Sequence, residues 1–362
     1  MQVTRLSSPF VPGAGRRLLS GIDTLAIGYY GQVRTELLEE LKQAKAEAGS
    51  GRDAIVWIGP TQFCVPPKAR PFYQYVAHDG RWIAAISDWQ GDHPQVHIRF
   101  RSHFLWSVGP DEAVRQAEEW LTQYVFTDGI EKHVVSRVDL CADFAEVPEA
   151  ERVLSDTRLV VSRARDRRTY AQGARASELA VGSRKGQGIM CRIYDKALEI
   201  QDSKGEKAWF WEAWGLEPGA YDCVVRVEFE VGRDALREAG IDTWQDLQEC
   251  AQELWRYLTE DWLRLCELDD ARQNRRTVLA WWGLVQQAWV TWQVILGPFV
   301  RYIRARANRE YLIRTARGYL VSIAAWGDGL LESVLNDLRQ TFGQTEWEER
   351  VRYRRAQLAV AW

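Results

Sequence analysis

Proline is scarce in this sequence, 11 of 362 residues, and no internal repeat or low-complexity tract interrupts it. With 46% hydrophobic and 27% charged residues, that composition excludes a disordered or fibrous chain. The six cysteines form no CxxC pair, so they are expected to be reduced core thiols of a cytoplasmic protein rather than a disulfide framework. The five histidines make neither an HExxH nor a tight pair, which argues against a histidine-built metal centre. GSRKGQG (182–188) lacks the GxxxxGK[ST] spacing of a phosphate loop and precedes a strand instead of a helix. A global excess of positive charge is missing too: 47 Lys and Arg stand against 50 Asp and Glu, so an anion site has to come from local clustering. The first 20 residues carry no continuous apolar core, which argues against a secretory leader there and predicts a short basic arm.

One uncharged run, residues 277–300, has the 24 residues that a bilayer crossing needs. Gln286, Gln287 and Gln293 sit in its middle, and its tryptophans lie inside rather than at both ends. Val278, Trp282, Val285, Trp289, Trp292 and Leu296 recur at helical spacing, which predicts a buried helix or helix pair and no membrane span.

What is present is a change of texture along the chain. Up to about residue 235 short segments rich in β-branched and aromatic residues alternate with turns: AIVWIG, FYQYVAH, RWIAAIS, QVHIRF, HVVSRVDLCADF, GIMCRIYDK and CVVRVEFEV. Asp79-Gly80 is expected to turn a hairpin. Helical spacing interrupts at 32–48, 111–126 and 205–214, and dominates after Gly240. The order predicts an α+β fold, with a largely antiparallel catalytic domain over 21–240 and an all-helical region over 241–362 for DNA recognition and dimerisation.

Side chains alternate across a strand, and three strands place their charges on one face each. Arg137, Asp139 and Asp143 share a face of HVVSRVDLCADF; Arg192, Tyr194 and Lys196 share one in GIMCRIYDK; Arg226, Glu228 and Glu230 share one in CVVRVEFEV. A solvated sheet face with cross-strand ion pairs fits this pattern. So does a phosphodiester-transfer site, in which a tyrosine between two cations is both nucleophile and phosphate neighbour, and carboxylates hold a hard divalent cation, Mg²⁺ or Mn²⁺. Asp139 and Asp143 stand about 13 Å apart along a strand, too far for one ion, so Asp139 with Glu228 is the expected pair and Glu230 a supporting or alternative ligand.

Basic charge is clustered. Between Arg272 and Arg317 nine arginines face a single acid, Glu310, and Arg272, Arg275, Arg276, Arg301, Arg304 and Arg306 are the expected duplex contacts. SRARDRRTY (162–170) adds four more arginines. Nearer the tyrosine, Arg137, Arg226 and the basic turn Arg184 and Lys185 are expected at DNA as well. The tryptophans at 209, 211, 214, 281 and 282 are read as core.

SRVDLCADF (136–144), AVGSRKGQGIMCRIYDKALE (180–199) and VVRVEFEVGR (224–233), with GIDTLAIG (21–28) and VHIRFRSHFLW (96–106) upstream, resemble the Rep_trans family of replication initiation factors, the rolling-circle initiators of small plasmids with relatives in phages and integrative elements. The resemblance covers about residues 20–235. It implies a metal-dependent nicking-closing enzyme acting as a homodimer on origin DNA, duplex and melted, with a host helicase as partner. Tyr194 is then the nucleophile, through a 5′-phosphotyrosyl intermediate. Lys196 and Arg192 stand beside it, and Asp139, Asp143 and Glu228 are candidates for the metal site. A conjugative relaxase with the same chemistry and a catalytically silent origin-binding regulator are the alternatives.

Overall fold

The computed structural model describes residues 13–49, 53–89, 91–183 and 188–288, together with residues 316, 320–321, 323–325, 330–341, 343, 347–348 and 351–352. The strands are β1 (Arg16–Tyr30), β2 (Ala54–Ile58), β3 (Thr61–Val65), β4 (Tyr75–His78), β5 (Trp82–Ile86), β6 (Val96–Phe100), β7 (Lys132–Ala145), β8 (Val160–Ser162), β9 (Arg167–Gln172), β10 (Arg175–Gly182), β11 (Ile189–Asp195), β12 (Val224–Gly232) and β13 (Leu263–Leu265). Eleven form one antiparallel sheet in the order β2-β3-β4-β5-β6-β1-β7-β12-β11-β10-β9, while β8 and β13 pair separately. The helices are α1 (Thr35–Glu47), α2 (Ser102–Val108), α3 (Pro110–Trp120), α4 (Ala150–Ser155), α5 (Lys196–Asp202), α6 (Trp209–Ala213), α7 (Arg233–Glu238), α8 (Trp244–Arg256), α9 (Ala280–Gln286) and α10 (Leu331–Thr341). The fold class is α+β, as the alternation of strand and helix patterns predicts.

Alternation decides the two faces. Val138, Leu140, Ala142 and Phe144 of β7, with Val225, Val227, Phe229 and Val231 of β12, lie in the main hydrophobic cluster. Trp244, Leu247, Trp255 and Trp262 from α8 and the π-helical turn after it join that cluster, as do Trp281, Trp282 and Val285 of α9. α8 is started by a capping box in which the Thr243 side chain accepts from Asp246 N and the Asp246 side chain accepts from Thr243 N. α9 docks through the Thr259 carbonyl, which accepts from Trp282 Nε1 at 2.9 Å and Gln286 Nε2 at 3.0 Å.

Residues 241–288 therefore share the core of the sheet, and the change of texture at 240 marks a change of element within one core. Strands do not stop there either, since β13 follows α8. β1 begins at Arg16, inside the segment read as a basic arm. The hairpin at Asp79 forms, but its two turn residues are Gly80 and Arg81: Asp79 N donates to Trp82 O, and its carboxylate takes Arg81 N and Trp82 N. Among the described residues no helix is long and apolar enough to cross a membrane. Of the run 277–300, residues 289–300 lie outside the described residues.

The opposite face of the sheet is polar at its centre and carries a smaller apolar cluster. Trp106 of α2, Ala197 and Ile200 of α5, Trp209, Phe210, Trp211 and Ala213 of α6, and Trp214 pack there. Gly21 of β1 has to be glycine for this lid, because a Cβ on it would stand 2.5 Å from the Trp106 ring. The Trp209–Trp214 cluster is thus core, as its spacing predicts.

Candidate active site

Strand register turns the three charged faces into rows. Tyr194 pairs with Arg226 and Arg226 with Asp143; Arg192 pairs with Glu228 and Glu228 with Cys141; Glu230 pairs with Asp139. The direct neighbour of Asp139 is therefore Glu230, and Glu228 lies one row away. β11 ends at Asp195, whose Oδ1 accepts from Leu198 N at 3.2 Å and so caps α5. Lys196 is consequently the first residue of a helix rather than the next strand position, yet it turns back into the same site.

Tyr194 is 5% exposed. Its hydroxyl donates to Glu228 Oε2 at 2.9 Å, and Lys196 Nζ lies 3.5 Å from the same hydroxyl. Arg192 binds the other oxygen of Glu228, with its guanidinium 5.1 Å from the Tyr194 ring centre. Burial first, and the Glu228 carboxylate second, push the Tyr194 phenol well above its ordinary value. The group bonded to its hydroxyl is thus the carboxylate that the sequence placed at a metal, and not only the two flanking cations. Lys196 is held by Glu199 Oε2 at 2.5 Å, and burial lowers the ammonium from its usual range. Burial works against the Glu199 carboxylate, but Lys196 and Lys207 hold it down at about 2.

Arg226 is wholly buried, so it is no DNA contact. It binds Asp143 through Nε and Nη2 at 2.6 and 2.8 Å and Asp23 through Nη1 at 2.7 Å. Asp23 is absent from any alternation pattern because it is the extra residue of a β1 bulge, between the pairs Ile22 with Leu140 and Thr24 with Asp139. Phe210 covers two cations of the site, 4.2 Å from Lys196 Nζ and 4.5 Å from Arg226 Cζ.

The residues expected at a Mg²⁺ or Mn²⁺ ion do not fit one in this arrangement. Asp143 is taken by Arg226 and by Trp214 Nε1 at 2.8 Å, Glu228 by Arg192 and Tyr194, and Asp139 by Arg137 Nε and Nη2 at 2.7 and 2.6 Å. Arg137 also reaches Glu230 Oε2 at 2.9 Å, which makes it an ion-pair residue and not a free phosphate contact. Among the described residues no three His, Cys, Asp or Glu side chains are placed to hold a metal ion. Burial, reinforced by Glu228 and Glu230 and opposed by Arg137, pushes Asp139 up to about 7.

Beside Lys196 opens a cleft of about 350 Å³. Its wall includes the cations Arg99, Arg101, Lys196 and Lys207, with Asp23 and Glu206 as acids. Tyr194 is not part of that wall; Lys196 stands between it and the cleft. Sequence reasoning missed Asp23, Glu199, Arg99, Arg101 and Lys207. Arg99 and Arg101 alternate with Phe100 in the manner of the other charged strands, and Glu199 follows Lys196 by one helical turn, so both signals were there to read. Of the more distant arginines, Arg272 and Arg275 are exposed, whereas Arg276 bonds the Asp270 and Arg158 carbonyls. Arg184, Lys185, Arg301, Arg304 and Arg306 lie outside the described residues.

No family model and no curated protein matches the chain. Among solved structures it is similar to the rolling circle replication initiator protein from Geobacillus stearothermophilus, with 13% identity and a TM-score of 0.45 over 76% of this chain and 98% of that one. At that level of similarity, function has to be read from the chain's own residues.

Proposed function

We propose that the protein initiates rolling-circle replication by nicking and resealing one DNA strand at Tyr194, acting as a homodimer on origin DNA. The observation that carries this reading is a tyrosine hydroxyl hydrogen-bonded to a carboxylate and to a lysine that lines a cationic cleft. A phosphate held on Lys196 is one ion pair away from Tyr194 Oη, and Arg99, Arg101 and Lys207 suit the flanking backbone. In the proposed step Oη attacks the scissile phosphorus while its proton passes to Glu228 Oε2. The bond between phosphorus and the 3′ oxygen breaks, its electron pair goes to that oxygen, which takes a proton from solvent water to become a 3′-OH, and the 5′ phosphate stays on Tyr194. Lys196 neutralises charge on the phosphate, and Arg192 fixes Glu228 through its second oxygen. The covalent link keeps the phosphodiester energy, so resealing by the 3′-OH needs no nucleotide. No chemical step is assigned to a metal ion.

The test is incubation with supercoiled DNA carrying the element that encodes the protein, scoring open circles and covalent adducts. Tyr194→Phe should fold and bind DNA but give neither product. The burial of Tyr194 behind Lys196 favours a second reading, a silent origin-binding regulator, and adduct formation by the wild type eliminates it. A transfer origin cleaved in preference to a replication origin would make the protein a relaxase.

A further inference from the structure

The polar face does not end at the cleft. His97 and Arg99 lie two residues apart on β6, and Arg99 and Arg137 flank the same β1 residue, Ala26. The link between β3 and β4 folds over this part of the face, with the Tyr73 ring 6.0 Å from that of His97. Arg70 in that link stands close enough to His97 and Arg99 to lower both, after burial.

At the tip of the link Phe72 takes φ +67° with its side chain 70% exposed. A left-handed backbone is an outlier for an aromatic residue, and an exposed ring returns nothing to the core for it. The conformation is imposed by a two-bond bridge, Arg70 N to Tyr73 O at 3.1 Å and Tyr73 N to Arg70 O at 3.0 Å. Trp89 is 57% exposed and stacks on His93, 5.0 Å between ring centres at 28°. Gly91 makes room for it, since a Cβ there would meet the indole at 2.5 Å. The rings of Phe72 and Tyr73 approach the same imidazole at 5.9 and 5.7 Å. Two solvent-facing rings are thus fixed on one histidine before any ligand arrives.

The charges say what such a platform suits. Arg70 and Arg99 run from it toward the cleft, which Arg99 itself lines. Asp88 and Asp92, both exposed beside Trp89, keep phosphates away from that loop and leave it to uncharged flat surfaces. A duplex hides its base faces, whereas a single strand offers them with a phosphate track alongside. We propose that Phe72 and Trp89 stack the bases of a melted DNA strand whose backbone follows Arg70 and Arg99 into the cleft, an inference that rests on reading the cleft as the site of the scissile strand.

Fluorescence anisotropy with a labelled oligothymidylate of about 12 nucleotides tests it. Phe72→Ala and Trp89→Ala should each weaken binding by about five- to hundredfold. Neither should matter on an abasic strand of equal length, to which the wild type should itself bind as weakly as the Phe72→Ala, Trp89→Ala double variant binds thymidylate. Phe72→Gly removes the ring while suiting the left-handed backbone, so its loss of affinity comes with an unaltered melting curve. Variants that bind like the wild type, a wild type indifferent to the loss of bases, or no single-strand binding at all would each overturn the proposal. Absence of a Tyr194 adduct with intact base stacking would instead overturn the cleavage reading and leave the platform standing.

Discussion

Glu228→Gln separates the proton acceptor from everything else the site does. In the wild type one oxygen of Glu228 takes Arg192 and the other takes the Tyr194 hydroxyl. The amide keeps the shape and one acceptor but cannot carry a proton away. A positioned base contributes about 10²- to 10⁴-fold, so strand cleavage near neutral pH should fall by that factor, about 3–5 kcal/mol of barrier. Stability should fall as well, because Glu228 is 3% exposed and the amide leaves the 30% exposed Arg192 guanidinium without its counter-charge, so a melting curve has to accompany the rate. The pH profile is the more telling readout. Burial holds the Tyr194 phenol high in both proteins, but Gln removes the neighbouring charge that raises it further. Single-turnover cleavage by Glu228→Gln should therefore climb about tenfold per pH unit as hydroxide replaces the missing base, while the wild type stays flatter. A variant that cleaves at the wild-type rate with the wild-type profile refutes the assignment.

Three other outcomes follow from the geometry. Arg226→Leu leaves Asp143 buried without its counter-charge, so urea denaturation should show a loss of about 3–5 kcal/mol, and adding Asp143→Leu should recover part of it; a single variant as stable as the wild type would contradict the buried triad. Asp139, pushed up to about 7, ionises in the unfolded chain near 3.9, so wild-type stability should fall as pH rises through that window. Asp139→Asn lacks this titration, and its stability relative to the wild type should improve from pH about 4 to about 7 and then level off, with a constant difference counting against the shift. If exposed Arg272 and Arg275 contact phosphates, replacing both by Gln should flatten the slope of log affinity against log salt by about 2, and an unchanged slope returns them to solvent.

Alternation made the polar face legible, since period two says which side chains share a side of a strand. It does not say which row meets which. Register put Glu230 opposite Asp139 and Arg226 opposite Asp143, and with it the expected metal ligands became partners of arginines. Asp23 was beyond reach for a related reason: a bulge aims it, and a bulge breaks the very period used to find site residues. The change of composition at 240 reports element type and does not say which residues share a core. Trp255 and Trp282 look like residues of a helical domain in sequence, and only the sheet's apolar face reveals what they cover.

The join between β11 and α5 has a consequence for how the protein can vary. Asp195 is at once the last strand residue and the cap of the helix, so no loop absorbs slack between Tyr194 and Lys196. One inserted residue after the cap would rotate the lysine about 100° around the helix axis and carry its ammonium out of the cleft. Spacing here behaves as a ruler: drift in sequence around the pair is tolerable, whereas drift in length is not.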